Sequence, residues 1–362
     1  MSSHFDVIVI GSGAGGGTLA QRLAPTGKSI LILERGEHVP REAENWSPKS
    51  VFIQHRYRTK EQWRDHAGRP FTPNTHYWVG GNTTFYGAAL MRLRAGDFEE
   101  TKHPGGVSPA WPIRLADLAP YYAEAERLWS VHGQRGQDPT EAGDEPPYAY
   151  PAIRHDPGIE LLKGHWEAQG WRPFSLPLGI RLDQAQPVTS ECIRCKTCGG
   201  FPCLVKAKAD ARTVAIEPLL GLPNVTLLTG RKAIRLETDG PGRTVTEVVC
   251  QTEHGEERWS GDIVVVAAGA ANTAALLLAS AGPAHPGGLA NGSDQVGRNY
   301  MFHTLTAMVS LTAERVDVTF PKTLAVNDFY WKDPRGGFDL PMGHIQLLEY
   351  MSGQTLEGEV SD

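Results

Sequence analysis

One stretch near the amino terminus constrains the fold of this chain more than any other. A short, mostly apolar run at residues 5–10 leads directly into Gly11, Gly13 and Gly16, which satisfy the spacing G-x-G-x-x-G. A helical stretch and a second apolar run follow, and that run ends at Glu34, 21 residues after Gly13. Strand, glycine turn, helix and acid-ended strand in this order predict a dinucleotide-binding βαβ unit.

Each of these residues has an expected role in such a unit. Gly11 permits the tight turn, Gly13 lets the backbone approach a pyrophosphate, and Gly16 lets the helix pack closely on the strand. Glu34 is placed to accept hydrogen bonds from an adenosine ribose. Glycines alone would also suit a flexible loop, but a strand, a helix and an acid in register favour the nucleotide site.

Composition predicts a soluble protein of two domains. The chain has 362 residues, and single cores stop growing near about 250–300 residues. A net charge of -6 leaves no basic surface for a nucleic acid. Apolar runs such as residues 263–271 are far shorter than the roughly 20 residues that span a bilayer. The chain reaches a strand by residue 5 without a basic and apolar leader, so the expected location is the cytoplasm.

The middle of the chain alternates irregular and patterned segments. Residues 35–75 are rich in Pro, Trp and charge and predict a long excursion without a packed element. Residues 80–89 are mostly small and would let the backbone approach a flat ligand, although they also suit an ordinary glycine turn. Apolar residues at helical spacing predict an amphipathic helix over 117–131, and 134–151 predicts a surface loop.

The pattern changes to strands from residue 224 onward. Turn residues separate four short runs that predict a β-meander: residues 225–228, 233–236, 245–251 and 258–260. A buried strand at 262–269 and an Ala- and Leu-rich helix at 272–281 follow. A nucleotide-binding βαβ unit joined to a meander and a late strand is the layout of flavoprotein domains.

Motifs along residues 5–303 give the chain a resemblance to the glucose-methanol-choline (GMC) oxidoreductases, particularly bacterial sugar and alcohol dehydrogenases. They occur in the family's order at residues 11–16, 80–83 with Gly87, 111–113 with 117–122, 267–270 and 296–299. The resemblance implies bound FAD and oxidation of alcohol or sugar hydroxyl groups by hydride transfer to the flavin, with a histidine as base.

The same resemblance implies the residues that hold the cofactor. Those expected at the ADP half are Gly11, Gly13, Ala14, Gly16, Glu34 and, beside the adenine, Ala233. Those expected along the flavin, or between flavin and pyrophosphate, are Gly81, Asn82, Thr83, Gly87, Ala88, Ala268 and Gly269. Some relatives attach FAD covalently through a histidine in the glycine segment. Residues 83–86 contain no histidine here, so we expect non-covalent FAD.

No catalytic base is assigned from the sequence. The family places its catalytic histidine in a carboxyl-terminal segment that residues 304–362 do not match. These residues instead predict the opening of a substrate-domain sheet, with apolar or alternating runs at 307–311 and 344–348. His303 and His344 are expected to be satisfied core or surface histidines. The expectation is therefore a truncated fragment, or a chain that needs a second one to supply the missing half.

The cysteines form the other distinctive pattern. Four of five lie within twelve residues, as Cys192, Cys195, Cys198 and Cys203. That spacing suits a metal or an iron-sulfur cluster, but a metal-free cysteine-rich turn is the favoured interpretation, and no metal ligand is assigned. Cys250 is expected to be a packed thiol. Lys206 and Lys208 are expected to be surface lysines, the alternative being that they help to hold the cysteine segment beside the flavin domain.

These observations predict an α/β protein with a Rossmann-like, GMC-type FAD-binding domain and β-meander over 1–100 and 204–302. An incomplete α+β substrate region occupies 101–203 and 303–362. The favoured function is an FAD-dependent oxidoreductase acting on CH–OH groups of a small alcohol or sugar, with oxygen, a quinone or a redox protein as electron acceptor. Two alternatives stay open: an electron-transfer flavoprotein subunit with a cysteine-bound cluster, and an inactive fragment that requires a partner chain.

Overall fold

The computed structural model describes residues 4–143, 145–310, 313 and 316–360. The helices are α1 Ala14–Leu23, α2 Leu115–Leu128, α3 Pro157–Ala168, α4 Ala270–Ala279 and α5 Gly353–Val360. Single turns of 3-10 or π helix occur at Ala24–Thr26, Ala43–Trp46, Lys49–Ile53, Gly81–Thr84, Ala95–Phe98, Arg212–Ile216 and Glu217–Leu219. The strands are β1 His4–Ile10, β2 Ile30–Leu33, β3 Trp63–Arg64, β4 Pro70–Phe71, β5 Thr101–His103, β6 Gly106–Ser108, β7 Val131–Gly133, β8 Tyr150–Pro151, β9 Phe174–Ser175, β10 Leu178–Gly179, β11 Val225–Leu228, β12 Lys232–Thr238, β13 Val245–Thr252, β14 Gly255–Val266, β15 Leu324–Val326 and β16 Ile345–Gln346.

The described chain divides into two compact units. The first comprises Met1–Glu42, His55–Phe85 and Asp210–Ser310, and the second comprises Ala43–Gln54, Tyr86–Ala209 and Leu311–Asp362. The boundaries between these compact units lie after residues 42, 54, 85, 209 and 310. The boundaries predicted from the sequence between the FAD-binding domain and the substrate region lie after residues 100, 203 and 302. The assignment of a cofactor role and a substrate role to separate segments stays a prediction.

A six-stranded sheet organises the first unit, with strand order β11-β2-β1-β14-β13-β12. β1 lies between β2 and β14 and is parallel to both. Alternate residues of a strand point to opposite faces, and both faces are buried here: Val7 and Val9 enter one core, Ile8 and Ile10 the other. Continuous apolarity is therefore required of the buried second half of β1, residues 7–10, as is usual in parallel sheets covered on both sides.

Helices cover the two faces of this sheet. α1 packs on the first face, where Ala20 joins Ile216 and Leu219 in the core. α4 packs on the second face through Leu276, together with Leu236 and Val248 from the meander strands. The mixed α/β, Rossmann-like architecture predicted from the sequence is confirmed.

Two strand assignments differ from the sequence prediction. β11 is not part of the meander, because it pairs in parallel with β2 at the edge of the sheet. The runs predicted separately at 258–260 and from 262 are one continuous strand, β14. Its first half pairs with β13 and its second half with β1. Gly261 does not break the strand; a Cβ atom there would approach the Ile8 side chain to 3.0 Å, so glycine allows close packing at the junction.

The second unit holds three small sheets, ordered β10-β7-β8, β16-β15-β9 and β5-β6. Its core includes Phe174, Leu178, Ile180, Phe320 and Ala325. The predicted helix at 117–131 is α2, which ends at Leu128 because the chain then enters β7. α3 and β15 were not predicted.

The two runs predicted to open a further sheet, residues 307–311 and 344–348, differ in structure. Residues 307–310 are exposed and lie outside regular structure, while residue 311 lies outside the described residues. Within 344–348, only Ile345–Gln346 forms a strand, which pairs with β15.

Candidate nucleotide-binding site

The turn after β1 requires glycine at two positions because of packing. Gly11 has a φ of +102°, and a methyl group there would overlap the carbonyl oxygen of Ala267. A methyl group at Gly16 would overlap the carbonyl oxygen of Gly11. These two glycines therefore bring β1, α1 and the end of β14 into direct contact.

Gly13 is different, because its surroundings are open. It caps the amino terminus of α1 with φ −69° and ψ −166°, values that most residues adopt, and no atom lies within 4 Å of the position that its Cβ would take. Packing therefore does not demand a glycine here. The open space faces the first turn of a ten-residue helix, whose free backbone N–H groups favour an anion.

A second open helix terminus lies at the end of β14. Gly269 has a φ of +80°, caps the amino terminus of α4, and also has no atom within 4 Å of its Cβ position. Because β1 and β14 are parallel neighbours, their carboxyl ends and the two turns lie at the same edge of the sheet. Ala268 packs its side chain on the core and leaves its backbone at the turn. Ligands of open parallel sheets bind at this edge, and two helix amino termini there would favour a diphosphate.

Glu34 is buried and anchors the glycine turn. Its Oε2 accepts hydrogen bonds from the backbone N–H and hydroxyl of Ser12, at 3.0 and 2.6 Å, and its Oε1 accepts one from the Gly36 N–H at 2.9 Å. Sequence reasoning missed this role and the part played by Ser12. An ionised carboxylate accepts about four hydrogen bonds, so a ribose contact is compatible with these three and stays a prediction.

The small-residue segment runs beside this turn. The Gly80 N–H donates to the Ser12 hydroxyl at 3.1 Å, and the Cβ position of Gly81 lies 3.5 Å from the Gly13 Cα. Thr83 donates to the Gly80 carbonyl at 2.6 Å and accepts from a backbone N–H at 2.9 Å, which fixes the turn. Asn82 is exposed, and its side-chain oxygen accepts from the His76 N–H.

The remaining predicted cofactor residues lie apart from this turn along the chain. Ala233 is a half-buried residue of β12, paired with Cys250. Gly87 and Ala88 belong to the second unit. Ala88 is buried with a φ of +62°, and the Gly87 carbonyl accepts a hydrogen bond from Lys322 Nζ at 2.5 Å.

A charged and aromatic group follows Glu34 and was not predicted. The Arg35 guanidinium lies 3.5 Å from the centre of the Tyr77 ring, and the Tyr77 hydroxyl donates to Glu61. Burial opposes ionisation of Glu61, but the Tyr77 hydrogen bond and the Arg35 charge outweigh it and lower its pKa to about 2. Arg35 directly follows the acid of the motif, yet nothing in the sequence connects it with residues 61 and 77.

The two histidines considered from the sequence, His303 and His344, lie in different surroundings. His303 is exposed. His344 is held at both ring nitrogens, by Asn327 at 2.7 Å and Gln346 at 3.0 Å, and burial lowers its pKa. His303 thus lies at the surface and His344 has partners at both ring nitrogens, while the lack of a catalytic role for either stays a prediction.

Within the described ranges, no group of three or more His, Cys, Asp or Glu side chains is arranged to hold a metal ion. Burial raises the pKa of Cys192 and of Cys250 to about 12. Cys250 is fully buried in β13, as expected of a packed thiol. The expectation of a surface position was wrong for Lys208, which is 1% exposed and donates to the carbonyl oxygens of Tyr86, Cys198 and Phe201.

Comparison with known families agrees with the geometry of the turn. Residues 171–305 match the GMC oxidoreductase family, and residues 9–60 match the NAD(P)-binding Rossmann-like domain. The chain belongs to the GMC oxidoreductase family.

Individual relatives of this GMC chain are oxidases. It is 35% identical to a 6'''-hydroxyparomomycin C oxidase from Streptomyces lividus over 92% of its own length and 62% of the relative. It is 36% identical to a paromamine 6'-oxidase from Streptomyces fradiae over 81% of its own length and 53% of the relative. Pyridoxine 4-oxidase from Mesorbium loti shares the fold, with a TM-score of 0.51, 19% identity, and coverage of 76% of this chain and 52% of that one. The GMC chain thus spans less than two thirds of the length of these relatives.

The family and the Rossmann-like unit together imply FAD as the cofactor. The residues present fit such a group, because the two open glycines provide space and N–H donors where a diphosphate is needed. Among the helices described, none has the length and apolar character needed to cross a membrane.

Proposed function

We propose that this GMC chain forms the FAD-binding part of an oxidoreductase that acts on CH–OH groups of sugars or alcohols. The observation that carries the proposal is the pair of open helix termini at Gly13 and Gly269, side by side at the carboxyl ends of β1 and β14. Packing explains Gly11 and Gly16, but it does not explain a glycine at position 13.

Different residues of the chain would bind different parts of FAD. Backbone N–H groups at the starts of α1 and α4 would bind the diphosphate, and Glu34 would hold the turn and reach the ribose. The backbone of Gly81 and Thr83 would lie along the flavin. When bound, FAD supplies a hydride acceptor for a CH–OH donor, and a base outside the residues assigned here must remove the hydroxyl proton.

Non-covalent attachment follows from the side chains in the glycine segment. Residues 83–86 offer a threonine pair, a phenylalanine and a tyrosine, and no imidazole. Acid precipitation of the FAD-loaded protein should therefore release the flavin into the supernatant. Flavin that stays with the pellet would contradict this assignment.

Binding and turnover should be tested separately. The chain is titrated with FAD while flavin fluorescence is followed, with ADP and riboflavin as competitors; ADP should compete because the turn recognises the diphosphate half. Absence of FAD binding would overturn the proposal. The chain is then assayed with an artificial electron acceptor on paromamine, simple hexoses and primary alcohols, alone and co-expressed with the carboxyl-terminal portion of the paromamine 6'-oxidase relative. Oxidation of an alcohol or sugar supports the assigned reaction class, and FAD binding without oxidation in either format contradicts it.

A further inference from the structure

The cysteine segment, which the proposed function does not use, contains a contact between a thiol and a buried lysine. Lys322 is 2% exposed, and its Nζ lies 3.0 Å from Cys198 Sγ. The same nitrogen donates to the Gly87 carbonyl at 2.5 Å and lies 3.5 Å from Glu349 Oε1. All four residues belong to the second unit.

A buried ammonium ion is costly unless negative groups compensate it. Although burial opposes the charged form, Cys198 and Glu349 raise the pKa of Lys322, so the lysine is held as an ammonium ion. A fixed ammonium ion in contact with sulfur stabilises the thiolate, which is the nucleophilic form of cysteine. Among the described residues, Lys322 Nζ has polar contacts with two oxygen acceptors and with Cys198 Sγ, and it lies 5.4 Å from the centre of the Phe320 ring.

A second thiol lies on the same small depression. Cys195 and Cys198 line it together with Lys322, Glu349 and Tyr350. The spacing Cys195-x-x-Cys198 is one that redox-active thiol pairs use. Cys192 and Cys198 both pack against the core of this unit, but burial raises the pKa of Cys192 to about 12, so Cys192 is a poor nucleophile near neutral pH.

We propose that Cys198, held beside the Lys322 ammonium group, is a peroxide-reactive thiol and that Cys195 is its resolving partner. The Cys198 thiolate attacks hydrogen peroxide: an S–O bond forms, the O–O bond breaks, and the departing hydroxide takes a proton to become water. The sulfur loses two electrons and the peroxide gains them, which leaves a sulfenic acid. The Cys195 thiol then attacks that sulfur: an S–S bond forms, the S–O bond breaks, and a second water leaves. Two thiols and one peroxide thus give one disulfide and two waters.

The first test uses the unmodified full chain. Brief alkylation with iodoacetamide at pH 7, followed by peptide mass spectrometry, should label Cys198 about tenfold faster than Cys192, because the Cys198 sulfur contacts the Lys322 ammonium group whereas burial raises the pKa of Cys192. Cys250, fully buried in a strand, serves as the unreactive reference. Equal labelling of Cys198 and Cys192 would overturn the proposal without any variant.

The second test removes the lysine charge. Lys322→Met should slow alkylation of Cys198 about tenfold at pH 7, and Lys322→Arg should restore much of the rate because it keeps the charge. Lys208→Met is the matched control, since Lys208 is an equally buried lysine of this unit whose three described acceptors are carbonyl oxygens and not sulfur. If Lys208→Met and Lys322→Met change the rate equally, local loosening explains the effect and the proposal is wrong.

The third test follows the oxidised products. Dilute hydrogen peroxide should convert the peptide containing Cys195 and Cys198 to a disulfide that a reductant reverses. In Cys195→Ser, the sulfenic acid on Cys198 should persist and react with a 1,3-dione probe. In Cys198→Ser, peroxide should leave Cys195 reduced. Oxidation of Cys195 in the absence of Cys198 would reverse the assigned roles and contradict the proposal.

Discussion

Gly13 and Gly16 belong to one motif, yet the structure assigns them different physical roles, so their substitution should give different results. The Cβ of a valine at position 13 would meet no atom within 4 Å, and the backbone angles of Gly13 suit a valine. Gly13→Val should therefore change the free energy of unfolding by less than about 1 kcal/mol. It should abolish FAD binding, because the side chain fills the space left for the diphosphate.

Gly16→Val should lose FAD binding for a different reason, which is that the variant does not fold correctly. Its Cβ would overlap the Gly11 carbonyl oxygen and lie 3.0 Å from Val9 Cγ1, so α1 must move away from β1. Overpacking costs about 1–3 kcal/mol, and overlap with a backbone oxygen places this variant near about 3 kcal/mol, which would lower the melting temperature of the 362-residue chain by roughly 4 °C. Loss of FAD binding in this variant would follow from loss of the fold.

The assay measures the two effects separately. Thermal unfolding of the FAD-free protein, followed by tryptophan fluorescence, reports stability, and quenching of flavin fluorescence reports binding. Gly15→Val is the matched control, because Gly15 lies in the same helical turn, has no atom within 4 Å of its Cβ position and falls outside the glycine spacing. Normal FAD affinity in Gly13→Val, or destabilisation equal to that of Gly16→Val, would refute the reasoning.

Three further predictions concern charge and metal content. Glu61→Gln should destabilise the protein by about 1 kcal/mol at pH 7. This value is modest because the Arg35–Glu61 ion pair is partly exposed to solvent. The folded-state pKa of Glu61 is lowered from 4.5 to about 2, so this contribution is present above pH 4.5 and is lost as the pH falls towards 2; a difference that persists at pH 2 would contradict the assignment. Arg92→Met should lower the free energy of unfolding, measured with urea, by about 3 kcal/mol, because Arg92 is 4% exposed and pairs with buried Glu126 at 2.7 Å. A loss below about 1 kcal/mol would show that Arg135 alone is enough to compensate the Glu126 carboxylate. Protein prepared without oxygen should contain neither iron nor zinc in stoichiometric amount, and one iron-sulfur cluster per chain by iron and sulfide assay would revive the electron-transfer alternative.

The first unit was largely predictable because its signals are local and agree with one another. The run before Gly11 is apolar at every position that two buried faces require, and the glycine spacing fixes where α1 must begin. Strand bounds were also read well at Val225–Leu228. The pairing partner of this strand was not predicted, because the residues of a short apolar strand do not show whether it lies at the edge of a parallel sheet or in a meander.

The errors share a different cause, which is tertiary contact. α3 is an exception, since an aspartate precedes it and Pro157 lies in its first turn, both ordinary helix-start signals that the sequence prediction did not use. Lys208 and Lys322 are charged, and composition places such residues at the surface. Only the folded chain shows the carbonyl and sulfur acceptors that make their burial tolerable.

The unbroken course of β14 has a consequence for cooperativity. The first half of the strand pairs with the meander and the second half with the parallel sheet, so detachment of the whole strand breaks both ladders at once. A ligand bound at Gly269, three residues beyond the end of β14, would stabilise the native state and suppress opening events that need β14 to detach. Protection from hydrogen exchange should therefore spread to β12 and β13, although neither strand carries the turn that receives the diphosphate.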